Sequence, residues 1–144
     1  MAETRLPVTR QQVNPTPTKF TVSENPSMRA NAEFITQRTS DSSLIVLDNR
    51  SIQEYMQGRI PKAVSFPWTD GMGEKGEIFR SKEELQKLFA NNDISKDKQV
   101  VCYCSSGMRS SHTFIALKIA GFQNVRLYDG SIIDWASRRL PIEY

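Results

Sequence analysis

A chain of 144 residues, 38% hydrophobic and 24% charged, is long enough for one domain with a buried core and has the composition of an ordinary globular chain. The net charge of +3 and pI near 9.0 come from scattered charges, with no basic run interleaved with aromatics. That argues against nucleic acid as a partner and fits small anions. Only two cysteines are present, Cys102 and Cys104, one residue apart. They exclude a framework of disulfides, and with the lone His112 they cannot complete a four-ligand zinc site without acidic help. Reduced thiols in a cytoplasmic compartment are expected. No apolar run reaches membrane-spanning length, and Met1 to Arg10 has no apolar signal core, so no membrane partner is expected and export only if a signal lies upstream.

In chain order, residues 1–19 are polar, carry three prolines and read as a linker, with the folded domain expected over 20–144. Phe20-Thr-Val22 predicts a short first strand. Asn25-Pro26-Ser27 predicts a helix entry, the helix running to about Arg38 with Met28, Ala32 and Ile35 on one face. Ser43 to Asp48 is an apolar run without alternation, as in a strand covered on both faces. Ser51-Ile-Gln-Glu54 is a capping-box pattern opening a short helix closed by Gly58. Arg59 to Phe66 leads into a third strand. Thr69 to Arg80 contains Gly71, Gly73 and Gly76 and predicts a mobile surface loop. Ser81-Lys-Glu-Glu84 is a second capping box, opening a helix with Leu85, Leu88 and Phe89. Gly121 to Leu127 and Asp129 to Trp135 give the last strand and helix. Alternating strands and helices predict an α/β fold, a central parallel sheet of about five strands with helices on both faces.

The chemistry concentrates in Val100 to Ser111. An apolar strand, Val100 to Tyr103, gives way to a small-residue loop, Cys104 to Arg109, and then to a helix ended by Gly121. Such a strand–loop–helix turn aims backbone N–H groups and a positive helix end at one point, which stabilises a thiolate and attracts an anion. Cys102, inside the apolar run, is expected to be structural, and Cys104, at its mouth, reactive. Arg109 opposes the helix dipole in the first turn, which suggests a task such as closing the loop or meeting an anion. Cys-x4-Arg is one residue shorter than the Cys-x5-Arg loop of protein tyrosine phosphatases. The shorter loop suits a small atom on the cysteine, such as sulfur, and leaves phosphate chemistry as runner-up. Asp48 and Arg50 belong on the same rim, at the carboxyl ends of the strands. Substrate contact and local pairing, such as Arg50 with Glu54, both fit them. His112 suits packing better than catalysis, Tyr128 and Trp135 suit the core, and Trp68 is core or pocket wall.

These residues together resemble the rhodanese family of sulfurtransferases. The matching stretches are Leu47-Asp48-Asn-Arg50 with Glu54-Tyr and Gly58-Arg-Ile-Pro-Lys-Ala-Val64; Val100 to Ser110; Ala120-Gly-Phe-Gln-Asn-Val125; and Tyr128-Asp-Gly-Ser131-Ile-Ile-Asp-Trp135. The last, with the entry Phe79-Arg-Ser-Lys-Glu-Glu-Leu85, is most similar to the catalytic C-terminal half of tandem sulfurtransferases, and Leu6 to Phe20 is similar to the linker between halves. The resemblance implies Cys104 as the catalytic nucleophile, taking sulfur from thiosulfate as a persulfide and passing it to cyanide or a thiol. Ser105, Ser106, Gly107, Met108 and Arg109 then bind substrate, with Asp48 and Arg50 as further candidates. It implies no cofactor and no metal, and a second rhodanese-like domain as a candidate partner. Thiosulfate-using members carry a cation just after the cysteine, where this chain has Ser105 and Ser106, so Arg109 is the candidate to supply that charge. Mercaptopyruvate-using members show Cys-Gly-Ser/Thr-Gly-Val-Thr, matched in part by Ser106 and Gly107, and their longer insert after Asp-x-Arg is absent. The alternatives are a 3-mercaptopyruvate sulfurtransferase and a sulfur-carrying or regulatory module that does not turn over.

Overall fold

The computed structural model describes residues 8–74 and 77–144, so residues 1–7 of the linker-like segment and Gly76 of the glycine-bearing loop lie outside the described residues. In chain order the elements are β1 (Arg29–Ala30), α1 (Ala32–Thr36), β2 (Leu44–Asp48), α2 (Ile52–Met56), β3 (Val64–Ser65), α3 (Lys82–Asn91), β4 (Gln99–Tyr103), α4 (Met108–Ala120), β5 (Val125–Tyr128) and α5 (Ser131–Ser137). Short 3-10 turns stand at Pro26–Met28 and Trp68–Gly71. The five strands form one sheet in the order β1-β5-β4-β2-β3, and every pairing is parallel. This is the expected α/β architecture.

Alternate residues of the central strands face opposite ways, which explains why their sequences are apolar throughout. Leu47 of β2 with Val100 and Cys102 of β4 meets Leu85 and Phe89 of α3 and Phe114 and Leu117 of α4. Val46 with Val101 and Tyr103 meets Ala32 and Ile35 of α1 and Trp135 of α5 on the other face. Each large side chain buried this way contributes roughly 1.5–3 kcal/mol. In the register Leu47 sits beside Cys102 and Asp48 beside Tyr103, so β2 and β4 end level with each other.

Both capping boxes form. Ser51 Oγ accepts from the Glu54 N–H and Glu54 accepts from the Ser51 N–H, and Ser81 and Glu84 repeat the arrangement. Gly121 closes α4 in the left-handed region, at φ +96°.

The N-terminal part differs from expectation. Phe20 and Val22 are exposed and form no strand, and the sheet edge is instead Arg29–Ala30, pairing with Leu127 and Tyr128. Two residues suffice to cover the end of β5, too few to leave a pattern in sequence. The single helix expected up to Arg38 is broken in two. Asn25 accepts from the Ser27 N–H in the 3-10 turn, and Asn31 accepts from the Phe34 N–H to start α1 afresh. Ala32 and Ile35 are buried as expected, but Met28 lies outside α1 and is 40% exposed. The glycine-bearing loop has internal order: Arg80 Nε donates to the Asp70 carbonyl, and the Gly73 N–H to that of Glu77. Among the described residues no helix is long and apolar enough to cross a membrane.

Candidate active site

Cys104 follows directly on β4, at the centre of the sheet, and is 1% exposed. Ser105 and Ser106 carry the chain to Gly107, whose φ of +87° swings it into α4. A glycine is required there for a second reason: a Cβ would overlap the Asp129 carboxylate and lie 2.9 Å from the Asp129 carbonyl oxygen. Gly107 caps α4 without any side-chain hydrogen bond, so the first-turn N–H groups of this 13-residue helix keep their donor capacity. The N–H groups of Ser106, Arg109 and Ser110 bear on the Cys104 sulfur. The Ser110 hydroxyl lies 3.6 Å from the sulfur and 3.0 Å from the Gly107 carbonyl, and its one proton serves either. Burial pushes the Cys104 thiol up, but these hydrogen bonds outweigh it and hold the thiol below its ordinary value. Cys102 has burial and the neighbouring Cys104 charge alone, both raising its pKa, and it is a core residue as expected.

The turn between β5 and α5 shapes the back of the loop. The Ser131 hydroxyl accepts from the N–H groups of Cys104 and Gly107, each at 3.1 Å, and donates to the Tyr128 carbonyl at 2.8 Å. The first N–H groups of α5, from Ile132 and Ile133, donate to the Cys104 and Ser105 carbonyls at 3.1 and 3.3 Å. Two loop carbonyls therefore turn away from the sulfur. The Gly107 N–H, from a residue expected among those that bind substrate, is also taken up by Ser131 and not aimed at the sulfur. Met108 projects outward, 81% exposed.

Arg109 closes the front of the loop, but not as a free cation. Its Nη1 and Nη2 donate to Glu54, and Nη2 also donates to Ser105 Oγ at 2.7 Å. The Arg109 guanidinium holds the Glu54 carboxyl far below the usual carboxylate range, and the Ser51 cap bonds add to this against the cost of desolvation. Glu54 was legible as a capping residue, as a candidate partner of Arg50 and as part of a matching stretch, but not as the partner of Arg109, which is distant in sequence. Ser131 was legible only as part of a matching stretch.

Asp48 and Arg50 reach the expected rim of the sheet but turn inward, at 0% and 6% exposure. Arg50 Nε and Nη2 donate to Asp48, and Nη2 also donates to the Gly58 carbonyl at 2.7 Å. The Tyr103 hydroxyl donates to Asp48 Oδ2 at 2.6 Å. The Arg50–Glu54 pairing suggested by their spacing does not form, since Arg50 precedes α2 and folds back onto Asp48. His112 packs, as expected: its ring stacks on Phe79 at 4.4 Å, meets Trp68 edge-on, and its Nε2 lies 2.6 Å from the Ile78 carbonyl oxygen. It ties the glycine-bearing loop to α4.

Comparison with known proteins gives a consistent picture. Residues 31–138 match the family model described as Rhodanese-like domain. A thiosulfate sulfurtransferase of Corynebacterium glutamicum is 43% identical over 88 residues, 60% of this chain and 28% of that protein. A Mycobacterium leprae protein, whose name gives the same activity provisionally, is 41% identical over 93 residues, 63% of this chain and 33% of its own length. The matched region thus spans at most about a third of these relatives. Among solved structures, wild-type EanB superposes with a TM-score of 0.74 at 19% identity, over 83% of this chain and 32% of that one. A variant of EanB in complex with ergothioneine gives 0.75 at 20% identity, over 82% and 32%. At that identity the likeness is one of fold.

Proposed function

The chain belongs to the rhodanese family, and on that premise we propose that it moves sulfane sulfur from thiosulfate to a thiophilic acceptor, cyanide or a thiol, through a persulfide on Cys104. The Cys104 thiolate attacks the outer sulfur of thiosulfate. The new S–S bond forms as the old one breaks, and sulfite leaves with the bonding pair. The acceptor then attacks the outer sulfur of the persulfide and restores the thiolate. Cys104 is the nucleophile. The stretch Ser105, Ser106, Gly107, Met108 and Arg109, with Ser110, forms the cradle that holds donor and persulfide, Gly107 by shaping the turn and Met108 by its backbone alone. No cofactor or metal is needed, because sulfur is exchanged between nucleophiles without net oxidation.

The observation that carries this reading is the cradle itself: a nearly covered thiol with its pKa held down, against burial, by the Ser110 hydroxyl and the backbone N–H groups of Ser110, Ser106 and Arg109. The short loop, with four residues between Cys104 and Arg109, suits a single added atom. Arg109 is paired with Glu54 and so does not separate thiosulfate from 3-mercaptopyruvate; the choice of thiosulfate is supported by the relatives named for that activity. A cytoplasm-like compartment suits a thiol that must stay reduced. The length of the relatives supports a second reading, in which a further rhodanese-like unit completes the pocket and this chain alone carries sulfur without rapid turnover. Residues 1–19 are then the linker to that unit, and 20–144 the catalytic domain.

Intact mass before and after thiosulfate, beside a Cys104→Ser control and followed by cyanide, tests both. Gain of one sulfur, absent from the control and removed by cyanide, is expected. Gain and removal without repeated turnover in the presence of both thiosulfate and cyanide favours the carrier, 3-mercaptopyruvate in place of thiosulfate ranks the donors, and no gain from either donor in folded protein sinks the enzyme reading.

A further inference from the structure

Ser131 has a backbone that its residue type does not explain. Its φ is +55°, in the left-handed region that L side chains seldom adopt. The glycine that could relieve this stands one position earlier, with Gly130 at an ordinary φ of −58°. The side chain at 131 is thus kept where the backbone alone would favour glycine. It is fully buried, and all three hydrogen-bonding capacities of its hydroxyl are used. Because its proton goes to the Tyr128 carbonyl, its lone pairs face the loop, and it meets the N–H groups of Cys104 and Gly107 strictly as an acceptor. These two groups flank Ser105 and Ser106, so one oxygen atom draws both ends of that short bend together.

We propose that Ser131 is a positioning residue for the reacting thiol: by accepting from both Cys104 and Gly107 it sets the curvature of the loop and so directs the Ser106, Arg109 and Ser110 N–H groups onto the sulfur. The inference rests on the reading of Cys104 as nucleophile and extends it to a residue on another element. Neighbouring features fit the same role. The α5 N–H groups hold the Cys104 and Ser105 carbonyls outward, and Asp129 backs Gly107 from the same turn. Ser131 carries no charge, so it acts on Cys104 through shape alone. The charged groups around the loop, Arg109 and Glu54 in front and Asp129 behind, stay in place when it is changed.

The test is the pH dependence of Cys104 alkylation by iodoacetamide in Ser131→Gly and Ser131→Ala, with Cys102→Ala as background to confine the label to Cys104. Glycine suits the left-handed φ, so Ser131→Gly removes the hydroxyl while relieving the backbone. The expected result is a folded glycine variant, by circular dichroism and thermal melting, whose alkylation midpoint moves up by about one pH unit. Ser131→Ala is expected to show the same shift with a lower melting temperature. An unchanged midpoint in the folded glycine variant overturns the proposal and makes the hydroxyl a passive filler. Failure of the glycine variant to fold also overturns it, because the hydroxyl would then serve folding first. Alkylation needs no sulfur transfer, so a wild-type protein that takes no sulfur from thiosulfate would sink the proposed activity while leaving this comparison decisive.

Discussion

Glu54 and Arg109, 55 positions apart, meet as a fork: Nη1 donates to Oε2 at 2.7 Å and Nη2 to Oε1 at 2.8 Å. The same carboxylate accepts from the Ser51 N–H and hydroxyl. One side chain therefore caps α2, neutralises the only cation in the Cys104 loop and, through Arg109, steadies Ser105. The attraction of this site for an anion rests on backbone N–H groups and the start of α4, with the Arg109 guanidinium, although paired, still acting on Cys104.

Glu54→Gln tests that arrangement through acid stability. The folded-state pKa of Glu54 is depressed, so its stabilisation is full above the unfolded value near 4.5 and is lost as pH falls toward the folded value. The pair is partly exposed, which limits its worth to about 1 kcal/mol. Urea midpoints are expected to favour wild type by that amount at pH 7, and the gap is expected to narrow progressively below pH 4.5. A gap independent of pH would mean that packing, not charge, links the two residues.

The two thiols are expected to differ sharply in reactivity. Both are covered, and burial raises both, but only Cys104 has hydrogen bonds that outweigh it and lower its pKa. Peptide mapping after brief iodoacetamide treatment at pH 7 is expected to find label on Cys104 alone, with a pH midpoint of labelling below that of a free thiol, about 8.5. Cys102→Ala is expected to cost about 1 kcal/mol and to leave labelling of Cys104 unchanged. Label on Cys102 in folded protein would contradict the assignment of roles.

Much of this was legible in the sequence, and the exceptions share a cause. β2, β4, the capping boxes at Ser51 and Ser81 and the Gly121 stop are local patterns, each written within a few residues. The strand–loop–helix around Cys104 is equally local, so the turn that surrounds this thiol could be read from spacing. Glu54 with Arg109 and Ser131 with Cys104 are pairings between distant segments, and spacing says nothing about them. Where spacing was used for a pairing, Arg50 with Glu54, it misled, because Arg50 lies ahead of α2 and buries itself against Asp48. The edge strand Arg29–Ala30 was missed because two residues carry no periodicity.

Gly107→Ala is expected to damage the loop more than a glycine-to-alanine change elsewhere on the surface. The left-handed φ costs an L residue about 1–2 kcal/mol, and the new Cβ also meets Asp129. Part of that clash is with the Asp129 carboxylate and part with its carbonyl oxygen at 2.9 Å. Adding Asp129→Ala is therefore expected to recover stability only in part, and labelling of Cys104 to remain slow in the double variant. Full recovery of both would show that the carboxylate alone set the requirement for glycine.

Asp48→Asn separates the two roles considered for Asp48. The carboxylate is completely buried and receives the Arg50 N–H, the Arg50 guanidinium and the Tyr103 hydroxyl. Removing its charge leaves the Arg50 guanidinium buried without compensation, a loss of about 3–5 kcal/mol. Tyr103→Phe removes one hydrogen bond to that carboxylate and leaves the Ile60 N–H without its acceptor, about 1.5–3 kcal/mol. Because both changes act on the same oxygen network, their combined cost is expected to fall short of the sum. Urea unfolding of the two single variants and the double variant measures that shortfall. At a temperature where Asp48→Asn remains folded, labelling of Cys104 and uptake of sulfur from thiosulfate are expected to match wild type, because no oxygen of Asp48 is left over for a substrate. A variant as stable as wild type that no longer takes up sulfur would return Asp48 to the reaction and assign the buried network to catalysis instead of architecture.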